Sequence, residues 1–253
     1  MEFKLHEDGK FKYIDEGEGQ PIVVLHGLFG ALSNFSEVLT HFSKDYRVII
    51  PVLPIYDLPI IKTSIKTLAV HLGEFIEHMK LENTIILGKR LGGHGGVVDA
   101  QENPEKVNKL ILTGSSGLYE NAFGGGFPKR ESKDFLRKRI EITFYDQSMV
   151  TDELVDECHE AVNNREKVIR IISLAKSAIR HNMAKELPQY KMPVCLIWGM
   201  QDNITPPHVA EEFQDQIPDA ELFWIDKCGH AAMMEQPETF NKILDAWLTK
   251  RAD

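Results

Sequence analysis

Cysteine is scarce and odd in number: Cys158, Cys195 and Cys228 are the three in 253 residues. So few and so widely spaced, they make a poor disulfide framework and have no zinc-binding spacing. Reduced thiols in a cytoplasmic chain are the expectation. Long apolar runs are also missing. No stretch approaches the roughly 18 residues that span a bilayer. The opening Met1-Glu2-Phe3-Lys4-Leu5-His6 has no apolar signal core. Basic charge is in deficit, 29 Lys and Arg against 38 Asp and Glu, for a net charge of −9. A nucleic-acid partner would usually meet a basic surface, so none is expected, and no membrane partner either. The ten histidines show no H-x-x-E-H or similar spacing. Gly92-Gly93-His94-Gly95-Gly96 lacks the G-x-x-x-x-G-K-[ST] frame of a phosphate loop. No metal and no cofactor is expected; a small molecule or anion in a pocket is the expected partner.

What is present is an ordinary globular composition, 43% hydrophobic and 26% charged. Residues 3–5 and 10–14 read as short strands around the turn pair Asp8-Gly9. The apolar run 21–25 reads as a buried strand, and a helix starts near Ser33-Asn34 and runs to about 43. The run 46–53 is the next strand. Ile65, Leu68, Ala69, Leu72, Phe75, Ile76 and Met79 have helical spacing over 64–80. Strand 84–88, a helix to about 103 and strand 107–112 follow. Strands 194–198 and 221–225 and helices 206–216 and 237–250 close the chain. This alternation predicts an α/β fold, a doubly wound, mostly parallel sheet with helices on both faces. It breaks over 119–190, where charged amphipathic helices predominate. That segment is read as a helical cap inserted into a core made of 1–118 and 191–253.

Four short motifs each follow a predicted strand, where open α/β sheets keep their chemistry. They are His26-Gly27-Leu28-Phe29-Gly30, Gly88-Lys89-Arg90-Leu91-Gly92, Trp198-Gly199-Met200-Gln201-Asp202 and Cys228-Gly229-His230. The second has the frame of G-x-S-x-G, in which serine sits on a strained strand-to-helix turn. In that order the motifs resemble those of the α/β-hydrolase fold family over essentially the whole chain. The cap resembles those of small-substrate esterases, lactonases and carbon–carbon bond hydrolases. The resemblance implies that Asp202 is the triad acid, that His230 is the general base, and that the backbone N–H groups of Leu28 and Leu91 form the oxyanion hole. It places Arg90 on the nucleophile.

There the correspondence fails. A guanidinium has no acceptor lone pair and effectively never deprotonates, so it cannot carry an acyl group. Three readings follow. The first is an esterase-like or carbon–carbon hydrolase scaffold with its nucleophile replaced, a natural pseudoenzyme or an engineered variant, inactive or strongly impaired. The second is a non-enzymatic binder in which Arg90, over a helix N-terminus, accepts a carboxylate or phosphate. Its competitor is a guanidinium that folds back onto Asp202, since a buried charge needs a partner. The third is amine chemistry on a carbonyl by Lys89. Ser115 and Ser116, after the strand beside the turn, are candidate pocket hydroxyls, with a turn role as the plainer reading. Phe123, Phe127, Phe135 and Phe144 are apolar enough to line a ligand site or to pack between helices. Gly124-Gly125-Gly126 could hinge the cap. His26 is read as fixing the loop that follows it, His94 as a packing or helix-start residue, and Cys228 as an inert buried thiol. Asp99 is a carboxylate where the helical spacing asks for an apolar residue.

Overall fold

The computed structural model describes residues 3–28, 32–121 and 132–252. The strands are β1 (His6–Asp8), β2 (Phe11–Glu16), β3 (Pro21–Leu25), β4 (Arg47–Pro51), β5 (Thr84–Lys89), β6 (Val107–Thr113), β7 (Val194–Gly199) and β8 (Ala220–Ile225). They form one sheet in the order β1-β2-β4-β3-β5-β6-β7-β8. β1 and β2 pair antiparallel with their neighbours; every pairing from β4 to β8 is parallel. The α/β, mostly parallel reading of the sequence therefore holds.

Alternation along the central strands assigns each side chain to a face. Ile86, Leu110, Leu112, Leu196 and Trp198 join one apolar cluster with α2 (Ile65–His78), α3 (Leu91–Glu102) and α7 (Pro207–Gln216). Ile85, Leu87, Ile111, Cys195 and Ile197 join the other with α1 (Ser36–Phe42), α8 (Ala232–Glu235) and α9 (Pro237–Lys250). Such strands are buried on both faces, so they read as continuous apolar runs. α2 buries Ile65, Leu68, Ala69, Leu72, Phe75 and Ile76, and its N-cap Ser64 accepts from the Thr67 N–H.

Between β6 and β7 the described residues hold α4 (Lys133–Glu141), α5 (Asp152–Asn163) and α6 (Arg165–Arg180), and no strand. Thr151 caps α5 and Asn164 caps α6. Ile171, Leu174, Ala175 and Ala178 of α6 join the cluster on the α2 and α3 face.

The first strand lies at 6–8 rather than 3–5, because the hairpin closes tightly on Gly9 and pairs His6 with Tyr13. β4 stops at Pro51 rather than 53, since the Leu53 N–H leaves the ladder and donates to His26 Nε2 at 3.1 Å. α8, with four residues, is too short to show a period. No helix among the described residues is long and apolar enough to cross a membrane.

Candidate active site at the β5–α3 turn

Arg90 is the single residue between β5 and α3, with φ 49° and ψ −115°. A non-glycine residue held there costs about 1–3 kcal/mol, so its surroundings must impose it. They do so through close backbone approach. A Cβ on Gly88 would lie 2.4 Å from Gly93 Cα, and one on Gly92 would lie 2.3 Å from the Leu25 carbonyl oxygen. The Arg90 carbonyl accepts from His94 N at 2.9 Å and from Ser116 N at 3.2 Å, tying the turn to the end of β6. A Cβ on Gly27 would lie 3.3 Å from Arg90 Cβ, so the loop after β3 borders the same point. Leu28 and Leu91 are both buried beside it. The Arg90 side chain is 14% exposed, and its Nε lies 3.5 Å from Glu120 Oε2. Glu120 is itself buried and accepts from the Ser116 hydroxyl. The carboxylate beside the guanidinium is therefore Glu120 and not Asp202.

Asp202 is engaged elsewhere. Its Oδ1 accepts from the N–H groups of Ile204 at 2.8 Å and Thr205 at 2.9 Å. Its Oδ2 accepts from Thr205 Oγ1 at 2.8 Å and lies 2.9 Å from His230 Nδ1. Because a carboxylate only accepts, Nδ1 carries the imidazole proton. Nε2 then holds the lone pair; it is buried with no hydrogen-bond partner among the described residues. Burial pushes His230 below the ordinary imidazole value; the Asp202 charge opposes this, while Lys89 and Arg90 add to it. The ring is neutral near pH 7 and oriented as a base. Burial would raise Asp202, but the His230 charge and the bonds from His230 and Thr205 outweigh it and hold the carboxyl below its usual range.

The backbone around the pair is crowded. Gly114 has φ +51°, and a Cβ there would come within 2.8 Å of the His230 ring. Glu235 accepts from the N–H groups of Gly229, Tyr145 and Asp146. It thereby joins the histidine loop to the segment after α4, whose Thr143 carbonyl takes the His230 N–H at 2.7 Å. Thr205, Glu120, Glu235 and Gly114 were not singled out in the sequence. Thr205 had a usable signal: a hydroxyl three residues after an Asp at a strand end is placed to turn back on it. Thr205→Val is expected to cost about 2 kcal/mol in urea unfolding, as for a lost hydrogen bond to a buried charge. A loss under about 0.5 kcal/mol would remove Thr205 from this role.

A family model for the alpha/beta hydrolase fold matches residues 20–166 and 160–237. This chain belongs to the α/β-hydrolase fold family. A 2-hydroxy-6-oxononadienedioate/2-hydroxy-6-oxononatrienedioate hydrolase from Comamonas testosteroni is 26% identical, covering 90% of this chain and 87% of its own. One of the same name from a Pseudomonas species is 28% identical, over 96% of this chain and 93% of its own. Among solved structures, an α/β hydrolase enzyme from the metagenome of lagoon sediments of Mar Chica, Morocco, is 46% identical with a TM-score of 0.83, covering 99% of this chain and 100% of that one. A meta-cleavage product hydrolase from Pseudomonas fluorescens, solved with acetates, is 25% identical with a TM-score of 0.83, covering 95% and 94%. The chain is thus an α/β hydrolase related to the carbon–carbon bond hydrolases that act on meta-cleavage products.

The remaining candidates of this α/β hydrolase take the following places. Lys89 is half-buried at the end of β5, among the charges of Arg90, Asp202, Glu235 and the Cys228 thiol. Burial and then Arg90 lower its ammonium to about 8. About a tenth of it is neutral at pH 7. The charges of Asp202 and Glu235 oppose that lowering only in part. Incubation with an aldehyde and borohydride is expected to leave the Lys89 peptide mass unchanged; a reduced adduct there would establish amine chemistry. Ser115 is buried and donates to the Ser116 carbonyl at 2.8 Å, so its proton is committed to the turn. Among the described residues neither serine hydroxyl hydrogen-bonds His230. Cys228 Sγ faces the Gly229 carbonyl at 3.7 Å and Glu235 at 4.0 Å, and burial pushes the thiol up to about 12. It is a buried thiol held in its protonated form near neutral pH.

Phe123, Phe127 and Gly124–Gly126 lie outside the described residues. Phe144 packs with Val150, Val155 and Ala231, and the Arg139 guanidinium lies over the Phe135 ring. His26 accepts from Leu53 N and so carries its proton on Nδ1, 3.1 Å from the Gly27 carbonyl oxygen, which fixes the loop after β3. His94 is fully buried in α3, with Nε2 3.0 Å from His181 Nδ1.

Proposed function

We propose that this α/β hydrolase keeps the acid–base half of a carbon–carbon or carboxylic-ester hydrolase and has lost its nucleophile. Serine-type hydrolysis is then absent or strongly impaired. The observation that carries the reading is the residue on the strained β5–α3 turn, Arg90, set beside an oriented, neutral His230 whose Nε2 has no partner among the described residues. In this reading Asp202 holds the imidazole tautomer, His230 Nε2 is the base, and the N–H groups of Leu28 and Leu91 would receive an oxyanion. Arg90 supplies neither a proton to remove nor an atom to acylate. The base and the oxyanion donors alone sustain a residual rate, because losing one triad member leaves some catalysis over water.

Nitrophenyl acetate tests this directly. The expected result is slow, linear product release with no pre-steady-state burst, falling further in His230→Ala. A burst equal in amount to the protein would contradict it, since it would require an acyl-enzyme.

Arg90 also favours a second reading, a pocket that accepts a small carboxylate. The guanidinium sits at a helix N-terminus, where free N–H groups and the dipole already favour negative charge. The names of the Comamonas and Pseudomonas relatives describe dicarboxylate substrates, and the Pseudomonas fluorescens relative was solved with acetates. A binder is stabilised by mass action. Acetate and dienoate analogues should raise the melting temperature of this chain and not of Arg90→Ala; equal shifts in both would end the reading.

A further inference from the structure

A groove of about 600 Å³ lies between the start of α2 and the last turns of α6, and it shares no residue with the β5–α3 turn. Its walls present Lys66, Lys176, Arg180 and His181 together with the hydroxyls of Ser64 and Ser177. No aspartate or glutamate lines it. In a chain of net charge −9 that is the reverse of the average surface.

Lys167 pairs with Glu160 and Arg170 with Glu166. Lys66 of α2 and Arg180 at the end of α6 form no ion pair among the described residues. Exposed like charges repel, so their convergence on one hollow lacks an internal reason.

The hydroxyls are oriented as well. Ser177 Oγ accepts from the Ile65 N–H at 3.1 Å, so its own proton is left to donate. Ser64 Oγ accepts from the Thr67 N–H at 3.2 Å and lies 3.0 Å from the Thr67 hydroxyl. The floor is fixed through His181, whose Nδ1 meets buried His94 of α3 at 3.0 Å.

We propose that this groove binds a phosphate group carried by a small soluble ester. A tetrahedral dianion takes donors from several sides, and the Arg180 guanidinium fork, the Lys66 ammonium and the Ser177 proton supply them. A groove of this volume falls within the usual range for small-molecule sites.

Isothermal titration at fixed ionic strength, with inorganic phosphate and glycerol phosphate against a chloride control, tests the proposal. Saturable binding is expected, and the exposed double variant Lys66→Ala/Arg180→Ala should weaken it by about tenfold or more, equivalent to roughly 1.4 kcal/mol. The remote pair Lys44→Ala/Lys242→Ala should leave it unchanged, and so should Arg90→Ala, which separates the groove from any anion at the β5–α3 turn. No saturable heat with either phosphate, or equal binding by the Lys66/Arg180 variant, would overturn the proposal. So would co-sedimentation with phosphatidylglycerol vesicles that needs Lys66 and Arg180 while the soluble esters fail to bind, since the phosphate would then belong to a lipid headgroup.

Discussion

Arg90→Ser is expected to raise nitrophenyl acetate hydrolysis by at least about 10³-fold over the original chain. Removing the nucleophile of a serine hydrolase costs on the order of 10⁶ in kcat, so restoring it into an otherwise assembled site returns much of that factor. The parts it needs are in place. The turn already holds residue 90 at φ 49°, and Asp202 already fixes the His230 proton on Nδ1. Relief of bulk alone is a competing cause of any gain. Arg90→Ala isolates it, and should gain less than about tenfold, since an open site without a nucleophile keeps only residual catalysis. The pH profile adds a second check. Burial holds His230 below the ordinary 6.5, and Lys89 still lowers it once Arg90 is gone. The base is therefore already deprotonated near neutrality, and activity falls only as pH drops through that depressed value. A serine variant as slow as the alanine one would mean that the site is not aligned for attack.

Asp99→Asn is expected to stabilise the fold by about 2 kcal/mol at pH 7.5 and to destabilise it by under about 1 kcal/mol near pH 4. Asp99 lies on α3, 1% exposed; its Oδ1 accepts from Asn103 at 2.9 Å and its Oδ2 has no partner among the described residues. Burial is the main cause that raises the carboxyl from 3.8 to about 6, against the Asn103 hydrogen bond. The folded state then holds more protons than the unfolded state between those values. Stability accordingly falls as pH rises through that window, and the full penalty is present above it. At about 1.4 kcal/mol per pH unit the gap corresponds to about 3 kcal/mol. An asparagine avoids that cost but leaves an N–H in place of Oδ2 without an acceptor, which returns roughly 1 kcal/mol. Urea unfolding of both proteins at the two pH values measures the difference. An equal change at pH 4 and pH 7.5 would exclude ionisation as the cause.

The parallel sheet and the four loops of the candidate site were legible because each depends on local pattern. Apolar runs of strand length mark β3, β5, β7 and most of β8, and the short motifs that follow them bring residues 27, 90, 202 and 230 to one end of the sheet. What escaped depends on side chains meeting across distant segments. Glu120 is buried next to Arg90 only because the chain turns back through Ser115 and Ser116, and no spacing announces that return. Asp202 was the sequence's candidate counter-ion for Arg90, and its hydrogen bonds to Thr205 and His230 leave it committed elsewhere. Glu235 sits in a helix of four residues and acts through three backbone N–H groups, which leave no trace in side-chain pattern. The cationic groove is equally silent, since Lys66 and Arg180 are over a hundred positions apart in the sequence.

Labelling with a fluorophosphonate, followed by peptide mapping, tests the assignment of residue 90 most directly. Such a reagent modifies a serine activated by an adjacent base. The expected result is no adduct in the original chain and a single adduct on residue 90 in Arg90→Ser, lost again in Arg90→Ser/His230→Ala. An adduct on Ser115, Ser116 or any other residue of the original chain, dependent on His230, would contradict it.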